Sequence, residues 1–215
     1  RPNDIREFGP EKSIESSASV TYIQALQTGG EELTVLWRSG SSRWCRARFS
    51  LEGEGGFLSE EDVWLDAGEG LYYVQSVLDP EGEIRLFMYG HPKGAEALNV
   101  VRHGALPDAG QALPLSPEDY EVAFRPRKGY RVRLLDTAQG VAPRIAVTEF
   151  QGTDEAVYRE IYHDGQGFTS RTLCPAGLPI EEPAGGNYYH GGVSFAKADD
   201  RRVYLAREQA GRWSV

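Results

Sequence analysis

Nine side chains of three kinds stand out as able to do chemistry together: Tyr22, Arg38, Tyr73, Tyr89, His91, Arg131, Arg133, His190 and Arg207. An arginine presents a planar fork of N–H groups that matches a carboxylate or a sulfate. A tyrosine offers a phenolic proton and an aromatic face on which a sugar ring can stack. A histidine exchanges its proton near neutral pH. Together these types suit an anionic sugar. Each also has a plain structural reading. Tyr22 at a strand start can be a rim aromatic, and Arg38 can pair with a surface carboxylate. His91 in Gly90-His91-Pro92 can be a turn residue, and His190 beside Gly191-Gly192 an edge histidine. His103 and His163 read as surface residues.

The composition narrows the classes of function. The 215 residues carry 23 Lys and Arg against 32 Asp and Glu, a net charge of −9. That balance opposes general binding to nucleic acid or to an anionic membrane, while leaving room for a local arginine cluster. No run approaches the roughly 20 apolar residues of a membrane helix. Cys45 and Cys174 have no partner at zinc-ligand spacing, so they are either one disulfide or two separate buried thiols. The acidic stretch from Glu52 to Asp66 lacks the ligand spacing of a calcium loop and reads as a solvated loop. No Gly-x-Ser-x-Gly nucleophile element and no phosphate-binding Gly-rich loop followed by Lys-Ser or Lys-Thr occurs. No metal and no cofactor is expected.

Positioning nine distant residues falls to an internal repeat. The segment Thr21–Gly40 superposes without a gap on Tyr72–His91 at an offset of 51 residues, setting Tyr22 on Tyr73, Ile23 on Val74, Gln24 on Gln75, Leu33 on Ile84 and Arg38 on Tyr89. A third copy runs from Arg131–Asp136 into Pro143–Thr148. A fourth runs from Gly191–Ala196, through a turn at Asp199-Asp200, into Arg202–Arg207. Each unit alternates short runs rich in β-branched and aromatic residues with Gly or Asp turns. Helical patterning is confined to Ser116–Phe124, where Ser116 can cap and Pro117 take the first helical position. Trp37, Trp44, Trp64 and Trp213 read as packing residues of the units.

A repeat of about 50 residues with about four strands is the size of a propeller blade. The expected fold is therefore all-β, a β-propeller or propeller fragment of four-stranded antiparallel blades, with units near 19–66, 70–115, 128–175 and 187–215. Residues 1–18 are placed to complete a blade. A closed four-bladed ring, an open arc and a fragment of a larger ring all fit, the fragment best, because both ends look cut. The sole methionine is internal and residue 1 is Arg, so the natural start is expected to have been removed. Inner strands of a propeller converge on one face, which would bring the nine candidates together.

Three patches resemble a known family. Ser19–Gln24 followed by Leu36–Gly40, then Phe87–Pro92, then Asn187–Trp213 are similar to elements of the BNR-repeat-containing, sialidase-like propellers that include the ulvan lyases. The last patch is long and specific. The resemblance implies an all-β propeller acting on a uronate-bearing glycan by β-elimination, with Tyr22 acting in the elimination and Arg38 neutralising the uronate carboxylate. It also implies a secreted or periplasmic protein. Ile23 replaces the family's proline after Thr-Tyr, and the upstream element that carries the family's catalytic histidine has no counterpart. The open proton-transfer role then falls to His91 or His190. The aspartate-box signature is degenerate, with Asp164–Phe168 its nearest approach.

Two expectations of different class follow. One is an enzyme acting on an anionic oligo- or polysaccharide by lyase or glycosidase chemistry, with Tyr22, His91 and His190 in proton transfer and Arg38, Tyr73, Tyr89, Arg131, Arg133 and Arg207 binding. The other is a non-catalytic glycan- or protein-binding module working beside other domains of a longer parent chain. A scaffold with no small ligand is the bland alternative.

Overall fold

The computed structural model describes residues 19–52, 56–68, 70–92, 100–108, 111, 113–138, 141–151, 155–176, 180–181, 188–189, 192–195, 203–209 and 212–214. Its described residues are organised as successive antiparallel sheets, each wound in chain order. Strands β1 (Val20–Gly29), β2 (Glu32–Ser39), β3 (Arg43–Ser50) and β4 (Gly56–Asp66) form the first sheet. The second holds β5 (Gly70–Leu78), β6 (Ile84–Pro92), β7 (Val101–Ala105) and β8 (Glu121–Phe124). The third holds β9 (Arg131–Thr137), β10 (Arg144–Gln151), β11 (Glu155–His163) and β12 (Phe168–Pro175). A short pair, β13 (Ile180–Glu181) with β14 (Tyr188–Tyr189), precedes a three-stranded sheet of β15 (Gly192–Phe195), β16 (Val203–Gln209) and β17 (Arg212–Ser214).

First strands of successive sheets lie beside one another, β1 against β5, β5 against β9 and β9 against β15. That is the inner-strand arrangement of propeller blades. Apolar residues at alternate positions fill the gaps between sheets. Leu36, Trp44, Trp64 and Leu65 of the first sheet meet Val74, Leu86 and Met88 of the second. Phe87, Tyr89 and Val101 of the second meet Val132, Leu134, Ile145, Val147 and Ile161 of the third. Ala146 and Tyr158 of the third pack with Val193 of the last sheet. Trp37 is buried on the other face of the first sheet with Val35, Cys45 and Ala47. Trp37, Trp44 and Trp64 are thus core residues; the Trp213 side chain lies outside the described set.

Side-chain amides tie the inner strands together. Gln24 donates to the Val74 carbonyl at 2.8 Å and accepts from the Ser76 N–H at 2.8 Å and the Ser76 hydroxyl at 2.7 Å. Gln75, its equivalent one repeat later, donates to the Leu135 carbonyl at 3.1 Å. Asp136 does the same for the next junction, accepting from the Ser194 hydroxyl and the Phe195 N–H, each at 2.8 Å. These bonds satisfy strand groups that no neighbouring ladder reaches.

Three sequence expectations are decided here, and one of them, the acidic loop, is overturned. Ser116–Phe124 is not helical beyond a single 3-10 turn at Pro117–Asp119, where Asp119 accepts the Ser116 N–H; Glu121–Phe124 then closes the second sheet as its fourth strand. The isolated turn cannot propagate because the following residues gain more from pairing with β7. The acidic stretch is not a solvated loop either. From Gly56 it is strand β4, since β3 sets arginines against its acids, Arg46 on Asp62 at 2.8 Å and Arg43 on Asp66 at 3.1 Å. Cys45 and Cys174 are both free thiols, one on the first sheet and one on the third.

Candidate functional site

The site forms where β1, β2, β5, β6 and β9 meet at one end of the inner strands. The first copy of the repeat contains a β-bulge that the second lacks. Thr21 faces Arg38 and Gln24 faces Leu36, so Tyr22 and Ile23 together oppose one residue of β2. In the second sheet the ladder runs straight through, with Tyr73 opposite Tyr89 and Gln75 opposite Phe87. Tyr22 takes the left-handed backbone conformation at φ +56°. For a bulky residue that is a strained geometry costing about 1–3 kcal/mol, and such strain gathers at functional sites. The bulge leaves Tyr22 half exposed at 50% and Ile23 at 66%.

Around Tyr22 the aromatic and arginine candidates interlock. Its ring meets Tyr73 edge to face at 5.1 Å between centroids, and Tyr73 stacks on Tyr89 at 5.1 Å. The Arg38 guanidinium carbon lies 4.5 Å from the Tyr22 ring centre and 5.2 Å from that of Tyr73. Arg38 donates through Nε to Thr21 Oγ1 at 3.2 Å and through Nη1 to the Tyr72 carbonyl at 3.5 Å. It is only 8% exposed, with the Tyr22 ring beside it. Among the described residues no carboxylate lies within ion-pair distance of Arg38, against its reading as a partner of a surface acid. Burial raises the Tyr73 phenol above its ordinary value, and the adjoining Tyr22 adds to this while Arg38 opposes it. Tyr89 is 7% exposed, and its phenol is pushed far up by burial first and Tyr73 second, with Arg133 working against them. Both phenols stay protonated at neutral pH and can donate.

Five sequence candidates thus gather: Tyr22, Arg38, Tyr73 and Tyr89 by ring contact, and Arg133 by its charge acting on Tyr89. Tyr89 backs Tyr73 rather than facing solvent. Arg131 is exposed two residues before Arg133 on β9. His91 stands on β6 opposite Leu71, two residues past Tyr89, and Arg207 stands on β16 opposite Ser214; both side chains lie outside the described set, as does all of His190. His103 is a correction, for it is buried at 6% between Phe87 and Phe168, with ring centroids 4.9 and 4.7 Å away, and its Nδ1 is 3.0 Å from Glu121 Oε1. Alternation on β7 turns it into the gap between the second and third sheets, which the sequence around it did not reveal. The degenerate box at Asp164 forms the β11–β12 turn, where Asp164 accepts the N–H groups of Gln166 and Gly167 at 2.9 and 3.1 Å; those bonds lower its pKa.

A groove of about 940 Å³ opens between the first two sheets at the opposite end of the strands, lined by Thr34, Arg46, Arg85, Asp119 and Tyr120 among others. None of the nine candidates lines it. Its three arginines are already committed, Arg46 to Asp62 and to the Pro107 carbonyl, Arg48 to Glu32 at 3.9 Å, and Arg85 to Asp79 and Glu83. Charges already paired offer little to an ionic ligand, so the Tyr22–Arg38 cluster is the better candidate. Among the described residues no group of acids, histidines and cysteines could hold a metal ion.

No family model and no curated protein matches this chain in sequence. Solved structures do match in shape. One is a polysaccharide lyase of family PL25, an ulvan lyase bound to -[GlcA(1-4)Rha3S]-, at TM-score 0.61 and 13% identity. Another is the PL25 ulvan lyase without that description of a ligand, at TM-score 0.60 and 14% identity. Each match covers 89% of this chain and 50% of the other, so the chain spans about half the length of those proteins. At such identity the likeness establishes the fold: an all-β chain of four-stranded antiparallel sheets resembling part of the ulvan lyase propeller.

Proposed function

We propose that the Tyr22–Arg38 cluster binds a uronate-bearing, anionic glycan and carries out β-elimination on it. The observation behind this reading is the strained bulge that holds the Tyr22 ring over the Arg38 guanidinium, with the protonated Tyr73 phenol beside them. Support also comes from the fold shared with a lyase whose structure holds a glucuronate-containing ligand. Arg38 would neutralise the uronate carboxylate, making the C5 proton acidic. Loss of that proton to a base, formation of the C4–C5 double bond and departure of the C4 oxygen complete the reaction, with the Tyr22 phenol giving its proton to the leaving oxygen. His91, two residues beyond Tyr89, and His190 are the candidates for the base.

The second reading, recognition without turnover, draws on the raised pKa of Tyr73 and Tyr89, which equips them to donate hydrogen bonds and not to remove protons. One experiment separates the two: incubation with a panel of uronate polysaccharides, following the ultraviolet absorbance of an unsaturated product. Lyase action requires a signal that Tyr22→Phe and Arg38→Ala both abolish. Binding that survives with no absorbance on any polymer assigns recognition alone.

A further inference from the structure

The segment joining the second and third sheets carries charge of the opposite sign to the chain as a whole. Between Val122 and Leu135 there is no acid, and Arg125, Arg127, Lys128, Arg131 and Arg133 place five cations in nine residues of a chain whose net charge is −9. Arg125, Arg127, Lys128 and Arg131 are exposed. Arg125, Lys128 and Arg131 make no ion pair among the described residues. A run of charge is usually only a solvated face, but this one is held in place from below. Glu149, wholly buried on β10, accepts the Arg127 N–H at 2.9 Å, while Arg159 neutralises it through two bonds of 3.0 and 2.8 Å to its other oxygen. The Tyr130 N–H closes the turn onto the Arg127 carbonyl at 2.9 Å, helped by Gly129 at φ +82°. The Arg127 guanidinium carbon then lies 3.9 Å from the Tyr130 ring centre and its Nε 3.7 Å from Glu149 Oε1, with its side chain still 55% exposed.

This places an arginine on a tyrosine just before β9, beside which β5 and then β1 lie in matching register: Arg38 and Gln24 bond to Tyr72, Val74 and Ser76, Gln75 bonds to Leu135, and the charge of Arg133 acts on Tyr89. Arg131 and Arg133 are successive same-side positions on β9, about 7 Å apart. The loop cations precede Arg131 in the chain, beyond the start of β9. A small anion cannot span such a series, but a chain with an acidic group on successive residues can. We infer that the loop Arg125–Arg131 is an extended subsite for the sulfate or carboxylate groups of a polyanionic polysaccharide whose reacting unit sits at Tyr22 and Arg38. The inference rests on the proposed glycan site but predicts something that site does not, a dependence of affinity on chain length. The acidity of the remaining surface opposes a nucleic acid, which would need cations along a far longer track.

The test compares two ligands, a long glucuronate- and sulfate-bearing polysaccharide and the disaccharide cut from it, by calorimetry in a Tyr22→Phe background that prevents turnover. Adding Arg125→Ala, Arg127→Ala and Lys128→Ala should raise the polymer Kd about tenfold, from three exposed contacts of modest strength each. The disaccharide Kd should move less than about twofold on the same scale. The melting temperature of the triple variant reports that the loop still folds. An unchanged polymer Kd overturns the inference, as does wild-type chain that binds no such polymer. Tighter binding to a single-stranded oligonucleotide of equal charge also overturns it. Arg38→Ala is read separately: unchanged disaccharide affinity there rejects the proposed function while leaving the loop result to stand by itself.

Discussion

The Arg38 guanidinium lies 4.5 Å from the centre of the Tyr22 ring and is covered by it, while its Nε is fixed on Thr21, the residue directly across the ladder. A flat, delocalised cation suits this slot between two aromatic rings, and the proposed function asks its planar edge to meet a carboxylate. A lysine keeps the charge and loses both features. Arg38→Lys is therefore expected to retain between about a tenth and about a hundredth of the wild-type kcat/KM on a uronate polymer, given that a bidentate charged contact is worth about 1.5–3 kcal/mol. Activity within about threefold of wild type would show that only the charge matters.

Tyr22 sets a trade of stability against site geometry. A residue at φ +56° is relieved by glycine and not by alanine. Tyr22→Gly should be more stable than Tyr22→Ala by about 1 kcal/mol in urea unfolding, although both remove the same ring and both should abolish any activity. Equal stabilities would mean that the bulge relaxes once the ring is gone.

Much of this arrangement was legible because the repeat is a sequence property. The 51-residue offset put Tyr22 on Tyr73 and Gln24 on Gln75, and those pairs do occupy matching places on adjoining inner strands. What the gap-free match concealed is the bulge at Tyr22. Residue count is conserved between the copies while the pairing shifts by one, and periodicity cannot see an irregularity of backbone. His103 was misread for a related reason, since the rings that bury it, Phe87 and Phe168, come from other strands, the second of them 65 residues away. The β4 acids were misread because the arginines that order them lie on another strand.

Gln24 and Gln75 should not be equally important despite their equivalence. Removing Gln24 strands the Ser76 N–H and hydroxyl together with the Val74 carbonyl, whereas removing Gln75 strands only the Leu135 carbonyl. Gln24→Ala is expected to cost about 2–3 kcal/mol and Gln75→Ala about 1 kcal/mol, by chemical denaturation. A reversed order would mean that water replaces the Gln24 contacts.

His103, buried between the second and third sheets, is expected to make their packing sensitive to mild acid. Burial lowers its pKa below 6.5, and Glu121, which acts to raise it, does not offset this; Arg85 and His163 add to the lowering. The folded state therefore holds fewer protons than the unfolded state below that value. The stabilisation is complete above about pH 6.5 and drains away as the pH falls through the lower folded pKa. Asp79 behaves similarly in a later window, below its ordinary 3.8, because the bonds from Arg85 and the Glu83 N–H outweigh the effect of its burial. Melting temperature followed from pH 7.5 to 5 should fall in the wild type and flatten in His103→Phe. Parallel curves for the two proteins would assign the acid sensitivity elsewhere.

The Glu149–Arg159 pair beneath the basic loop separates loss of one charge from loss of both. Glu149 is wholly buried and takes two bonds from Arg159 plus the Arg127 N–H. Arg159→Met leaves that carboxylate without its main counter-charge, a change that typically costs about 3–5 kcal/mol. Replacing both, as Glu149→Leu with Arg159→Met, removes the buried charge altogether, and such apolar replacements are commonly near neutral. The double variant should thus unfold at a higher denaturant concentration than the Arg159→Met single variant. It should nevertheless lose the anchored loop, because the Arg127 N–H then has no acceptor beneath it. Weakened polymer binding in a protein of near wild-type stability would tie the Glu149 carboxylate to the shape of the loop. Losses that simply add between the two single changes would instead mean that the pair is not coupled.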